Sequence, residues 1–130
     1  MSFLNHSSRL RPVEALIPSC VILRDGVDRS DVIRIVGEAD LGFASQLKET
    51  LESVGAAGRP MVLDLSACRY FDSTIISALL WAVKQFGQRF ALVIPDDSPL
   101  LRILRICELE DALPIEQSIL RAARRVQRPA

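Results

Sequence analysis

The feature that most constrains this chain is an alternation between short apolar runs and longer stretches of helical period. Val32-Ile33-Arg34-Ile35-Val36 ends at Gly37, Phe90-Ala91-Leu92-Val93-Ile94 ends at Pro95, and Pro60-Met61-Val62-Leu63-Asp64-Leu65 lies between them. Separating the first two of these in sequence, Phe43, Leu47, Leu51 and Val54 recur every three or four residues. Lys48, Glu49 and Glu52 supply the wet side, and Gly55 and Gly58 stop the pattern. Apolar residues at that period form one face of a helix, whereas a continuous run of strand length suits a buried central strand. Strands joined through helices run parallel with right-handed crossovers, which predicts an α/β domain.

The other elements fit the same scheme. Cys20-Val21-Ile22-Leu23 is a short apolar run before the Val32 run. Asp25-Gly26 is a turn signal between them, on a connection to Asp31 longer than a two-residue hairpin. The pair is expected to be antiparallel. Asp72-Ser73 opens a second helix, with Ile76, Leu79, Leu80, Val83 and Phe86 as its apolar stripe and Gly87 as its end. Ser98-Pro99 is a cap followed by a first-turn proline, with Leu100, Leu101, Ile103 and Leu104 behind it. Leu113-Pro114-Ile115 is at most a short edge strand, and Glu116 to Val126 reads as a last helix.

The expected fold is one domain over residues 19–126. It has a mixed four- to five-stranded sheet with an antiparallel pair at its start and about four helices, in the order β-β-α-β-α-β-α-β-α. Residues 1–18, bracketed by Pro12 and Pro18, read as an extension, and 127–130 as a tail.

Composition narrows the functional classes. With 130 residues, 49% of them apolar and 25% charged, the chain is large enough for an ordinary core and is not composed like a disordered one. Sixteen basic residues balance sixteen acidic ones, so no overall charge points to nucleic acid. A single His removes His-based triads and His-rich metal sites. Cys20, Cys68 and Cys107 lack C-x-x-C spacing and read as buried free thiols in a reducing cytosol. The apolar stretch Ile75–Val83 is far short of the ~20 residues that a membrane span needs. A cytoplasmic protein with no cofactor, no metal and no enzymatic activity is the expectation.

Chemistry concentrates where Asp72-Ser73-Thr74 opens a helix just beyond a buried strand. Free N–H groups and the helix dipole favour an anion there, while plain N-capping explains the same residues. No Walker lysine or glycine-rich loop is present, so a nucleotide P-loop is not supported. Asp40 and Asp72 fit turn and cap roles better than a catalytic carboxylate pair. Asp96-Asp97 and Glu108/Glu110/Asp111 read as solvated acidic loops. Arg121, Arg124, Arg125 and Arg128 read as a solvated basic face, residues 117–130 containing no acid. Trp81 falls off the main stripe, as a partner anchor or a partly buried ring.

The segment Asp64-Leu65-Ser66 … Asp72-Ser73-Thr74 resembles the signature of the STAS domain family, which includes bacterial anti-sigma factor antagonists. Val36-Gly37-Glu38-Ala39-Asp40 resembles a second element of that family, and Leu100-Leu101-Arg102-Ile103-Leu104 with Leu109 fits its short helix. The resemblance spans roughly residues 20–125. It implies a protein that binds an anti-sigma factor, itself a serine-protein kinase, and is switched off by phosphorylation at Ser73, with Thr74 as the alternative acceptor. A serine phosphatase would reset it. Asp72, Ser73, Thr74, Ile75, Glu38 and Asp40 would make the partner surface, with no direct nucleic acid and no membrane span. Ile75 stands where the family has Gly, and reads either as a flank of the core stripe or as a partner contact. It favours the alternative of a non-switching adaptor on an ABC-type transporter ATPase.

Overall fold

The computed structural model describes residues 19–39 and 42–127, with the side chains of the first strand described from residue 26 onward. The extension 1–18, Asp40 and residues 128–130 of the tail lie outside the described residues. Strands β1 (Ser19–Val27) and β2 (Ser30–Ala39) form an antiparallel hairpin. Then come α1 (Phe43–Gly55), β3 (Met61–Asp64), β4 (Cys68–Phe71) and α2 (Ser73–Phe86). The chain continues through β5 (Phe90–Val93), α3 (Pro99–Ile106), β6 (Ile115–Glu116) and α4 (Ile119–Gln127). The strand order is β1-β2-β3-β5-β6 in a mixed six-stranded sheet, with β4 parallel to the far end of β2. A single mixed α/β domain with four main helices is the architecture expected, with one strand more.

Alternation along the strands sorts the core into two layers. Ile33, Ile35, Met61, Leu63, Phe90 and Leu92 point to the side of α1, α2 and α3 and join the larger cluster. Val32, Val62, Ala91 and Val93 point the other way, onto Ala122, Ala123 and Val126 of α4. The central strands are covered on both faces, which is why Met61–Leu63 and Phe90–Val93 read as unbroken apolar runs.

Several expectations are corrected. The β1–β2 connection is a two-residue turn, Asp28-Arg29, with φ of 49° and 62°, rather than a longer loop. Strand β1 outruns its apolar residues because β2 supplies ladder partners as far as Val27↔Ser30. The last helix starts at Ile119, not Glu116. Ser118 accepts the Arg121 N–H at 3.2 Å, while Ile115–Glu116 pairs with Leu92–Val93. Cys107 is exposed, not buried, because it caps the end of α3 where the chain turns away through Glu108 at φ 59°. Cys68 is buried as expected.

Helix α2 is rotated from its expected setting. Its buried residues are Ile75, Ala78, Leu79 and Ala82, while Ile76 and Val83 are half-buried and Leu80 is 36% exposed. The two alanines let α2 approach the sheet closely, and the larger side chains flank the contact. Size alone therefore misjudges the face of a helix that is apolar on several sides.

Candidate functional site

Strand β4 is absent from the sequence expectation, yet it positions the site. Strand β3 pairs with Asp31–Arg34 of β2 and then stops, leaving the backbone of Gly37–Ala39 without a partner on that side. Cys68–Phe71 fills the gap, in a ladder that shifts register between Gly37 and Glu38. Gly37 has φ of 102°, a left-handed value that glycine adopts without steric cost. Its N–H donates to the Ala67 carbonyl at 3.1 Å. The pairing sets Glu38 opposite Tyr70 and Ala39 opposite Phe71, one residue before Asp72.

The turn between β3 and β4 is held by Asp64. This carboxylate is fully buried, accepts from Arg34 Nε at 2.8 Å and also accepts the Ser66 N–H at 2.9 Å. One side chain thus ties β2, the end of β3 and the turn together. Sequence reading placed Asp64 only within a motif. Its buried pairing with a residue thirty positions earlier has no local signature.

Helix α2 begins at Ser73 because Asp72 caps it from an extended backbone (φ −100°, ψ −176°). Asp72 Oδ1 accepts the N–H groups of Thr74 and Ile75 at 3.0 and 3.2 Å and the Thr74 hydroxyl at 2.5 Å. The Thr74 hydroxyl foremost, and then the backbone N–H groups, hold the Asp72 carboxyl below the usual carboxylate range. It is a charged group at neutral pH. Ser73, the first residue of the helix, is exposed, and its hydroxyl has no hydrogen-bond partner among the described residues.

The structure gathers Glu38, Asp72, Ser73 and Thr74 at the carboxyl end of β2 and β4, the first three expected residues after Glu38 being contiguous. Ile75 is corrected: it is 0% exposed and belongs to the core, so it is no surface contact. Asp40 lies outside the described residues. Burial pushes the Cys68 thiol up, and its Sγ donates to the Tyr70 carbonyl at 3.3 Å. Trp81 is half-buried, edge-on to Phe86 at 5.7 Å with the Lys48 ammonium 5.0 Å from its ring. It packs between neighbours instead of standing free as an anchor.

Two open hollows lie elsewhere. One of about 550 Å³ sits at the opposite end of α2, among Val83, Gly87, Phe90, Leu113 and Arg125. Another of about 420 Å³ lies between the turns after β3 and β5, lined by Ser66, Arg69, Asp97 and Ser98. Neither is lined by Ser73 or Asp72. Among the described residues no group of three His, Cys, Asp or Glu is gathered to hold a metal, and no helix is long and apolar enough to cross a membrane.

The site is thus an exposed serine hydroxyl at a helix start, beside a capping carboxylate at one end of a mixed sheet. Residues 22–120 match the family described as Mlab, STAS domain, and the chain belongs to the STAS domain family. No curated protein matches it significantly. Among solved structures it is similar to an anti-sigma factor antagonist from Mycobacterium paratuberculosis. That match has 23% identity and a TM-score of 0.71 over 88% of this chain and 99% of the other. It is also similar to a candidate anti-sigma factor antagonist from Thermotoga maritima, at 20% identity and a TM-score of 0.66 over 86% and 96%. The Bacillus cell fate determinant SpoIIAA in its phosphorylated form aligns at 15% identity and a TM-score of 0.56, over 84% and 99%. At these identities the likeness establishes the shared fold.

Proposed function

We propose that this protein is an anti-sigma factor antagonist that binds an anti-sigma factor/serine kinase when unmodified and is switched off by phosphorylation at Ser73. The observation that carries this reading is the exposed Ser73 hydroxyl, free of any hydrogen bond among the described residues, beside the ionised Asp72. Thr74 is the poorer acceptor, because its hydroxyl is already committed to Asp72. Phosphate adds about −1.5 to −2 charges. The dipole of α2 tolerates that charge, but Asp72 does not, and a partner surface would have to desolvate it. A serine phosphatase restores the binding form. The chain supplies an acceptor and its partners supply the catalysis, in the cytoplasm. Support comes from the fold shared with proteins described as anti-sigma factor antagonists, one of them captured in a phosphorylated form.

The adaptor reading, a non-switching subunit on an ABC-type transporter ATPase, drew on Ile75. With that side chain in the core, it neither crowds Ser73 nor contacts a partner. The decisive experiment incubates the purified protein with the anti-sigma kinase of the same genome and ATP. One phosphate is expected on wild type and none on Ser73→Ala, and Ser73→Asp should bind the kinase at least tenfold more weakly. Equal binding by Ser73→Asp would rule out the charge mechanism.

A further inference from the structure

Helix α4 packs across β3, β5 and β6 and reaches β1 and the start of β2, with no comparable packing on β4. On β2, the alternation that buries Ile33, Ile35 and Ala39 turns Arg34, Val36 and Glu38 to the opposite face. Val32 on that face is sealed by the α4 cluster; Val36 is 41% exposed and Glu38 stands in solvent. Tyr70 is the ladder partner of Glu38 and so shares its face, with 46% of its surface exposed. Val36 lies two residues before Glu38 on that same face of β2. Tyr70 precedes Ser73 by only three residues, so this strip, uncovered by the described residues, runs up to the serine.

Of the cations near the strip, Arg34 is paired with Asp64, and exposed Arg69 lines the hollow beside Ser66 and Ser98. Glu38 and Asp72 have no cationic partner among the described residues, whereas Asp64, Glu110 and Glu116 each have an arginine. Tyrosine is enriched among the residues that dominate interface energies, since it brings a large ring and a hydroxyl at small entropic cost.

We infer that Tyr70, with Val36 and Glu38, is the anchoring half of the partner interface, and that it fits a protein surface with an apolar pocket rimmed by Lys or Arg. The inference rests on the reading of Ser73 as the switch and names the surface that the switch controls. Tyr70 and Val36 supply contact area whatever the state of Ser73. Glu38 and Asp72 draw in the basic rim, and phosphate at the edge of the strip disturbs a contact that the ring has seated.

The test uses the full chain and the purified anti-sigma kinase as probe, measuring the dissociation constant at two salt concentrations and the rate of Ser73 phosphorylation. Tyr70→Ala is expected to weaken binding about tenfold or more while the variant still unfolds in one cooperative transition, because the ring is about half in solvent. Glu38→Gln is expected to weaken binding a few-fold and to flatten its salt dependence. If Tyr70→Ala binds within twofold of wild type while Ser73→Asp does not bind, the anchor is wrong and the Ser73 switch stands. Should wild type neither bind the kinase nor gain phosphate, both ideas fall. Loss of binding by Tyr70→Ala alongside normal binding by Ser73→Asp would keep the anchor and remove the switch.

Discussion

At the start of α2, Asp72 accepts the N–H groups of Thr74 and Ile75; at the start of α3, Ser98 accepts the Leu100 N–H at 3.1 Å from an equally extended backbone. Both caps satisfy donors that every helix leaves open at its first turn. They differ in what remains free. In α3 the hydroxyl is itself the cap, a proline without an N–H follows, and Leu100 and Leu101 plunge into the core. In α2 a carboxylate does the capping, so the serine after it keeps an unengaged hydroxyl at the surface. A capping motif is thus no site by itself. The division of roles between Asp72 and Ser73 leaves a hydroxyl free at the surface.

The largest expected difference between the two caps is chemical. With kinase and ATP, phosphate should appear on Ser73 and never on Ser98, as peptide mass mapping would show. Modification at Ser98 would erase the distinction between the two caps. Next in size is packing. Leu100→Ala should cost about 2–4 kcal/mol in denaturant unfolding, as a large-to-small change at a fully buried position. Ser73→Ala should stay within about 0.5 kcal/mol of wild type, because no described group depends on the hydroxyl. Arg34→Ala probes the scaffold beneath the site. It strands the buried Asp64 carboxylate and should cost roughly 3 kcal/mol.

Smaller effects separate the caps by pH. Ser98→Ala should cost about 1 kcal/mol equally at all pH values between 3 and 7, since a hydroxyl does not titrate in that range. Asp72→Ala should lower the melting temperature at neutral pH but progressively less in acid. The folded carboxyl titrates below its unfolded value. Its contribution is therefore complete above the ordinary carboxylate pKa of about 4 and is lost as pH falls through the lowered one. A pH-independent difference between Asp72→Ala and wild type would show that the charge of Asp72 is irrelevant to the cap.

Much of the scaffold was legible in the sequence because its signals are local. The Phe43–Val54 period, the Met61–Leu63 and Phe90–Ile94 apolar runs and the Ser98-Pro99 start are each set by neighbours within a few residues. The two-residue turn at Asp28-Arg29 was not legible, because it places an arginine in a left-handed conformation usually left to Gly or Asn. Nor was the setting of α2, where Ile75 and two alanines displaced Ile76 and Leu80 from the inner face. Four residues with exposed Arg69 and Tyr70 among them do not announce a strand. Strand β4 exists because β2 is longer than β3.

The order of the elements other than β4, the cap that starts α2 and the serine hydroxyl behind that cap are set by the sequence alone. These follow from backbone donors and side chains adjacent in the chain. Which residues share a surface with that hydroxyl depends on the assembled fold. Pairing of β4 with β2 brings Glu38 to Tyr70 beside Ser73, and close packing of α2 sends Ile75 inward. Both outcomes depend on contacts between residues distant in sequence, whose backbone hydrogen bonds and packed volumes are fixed only when the sheet is assembled.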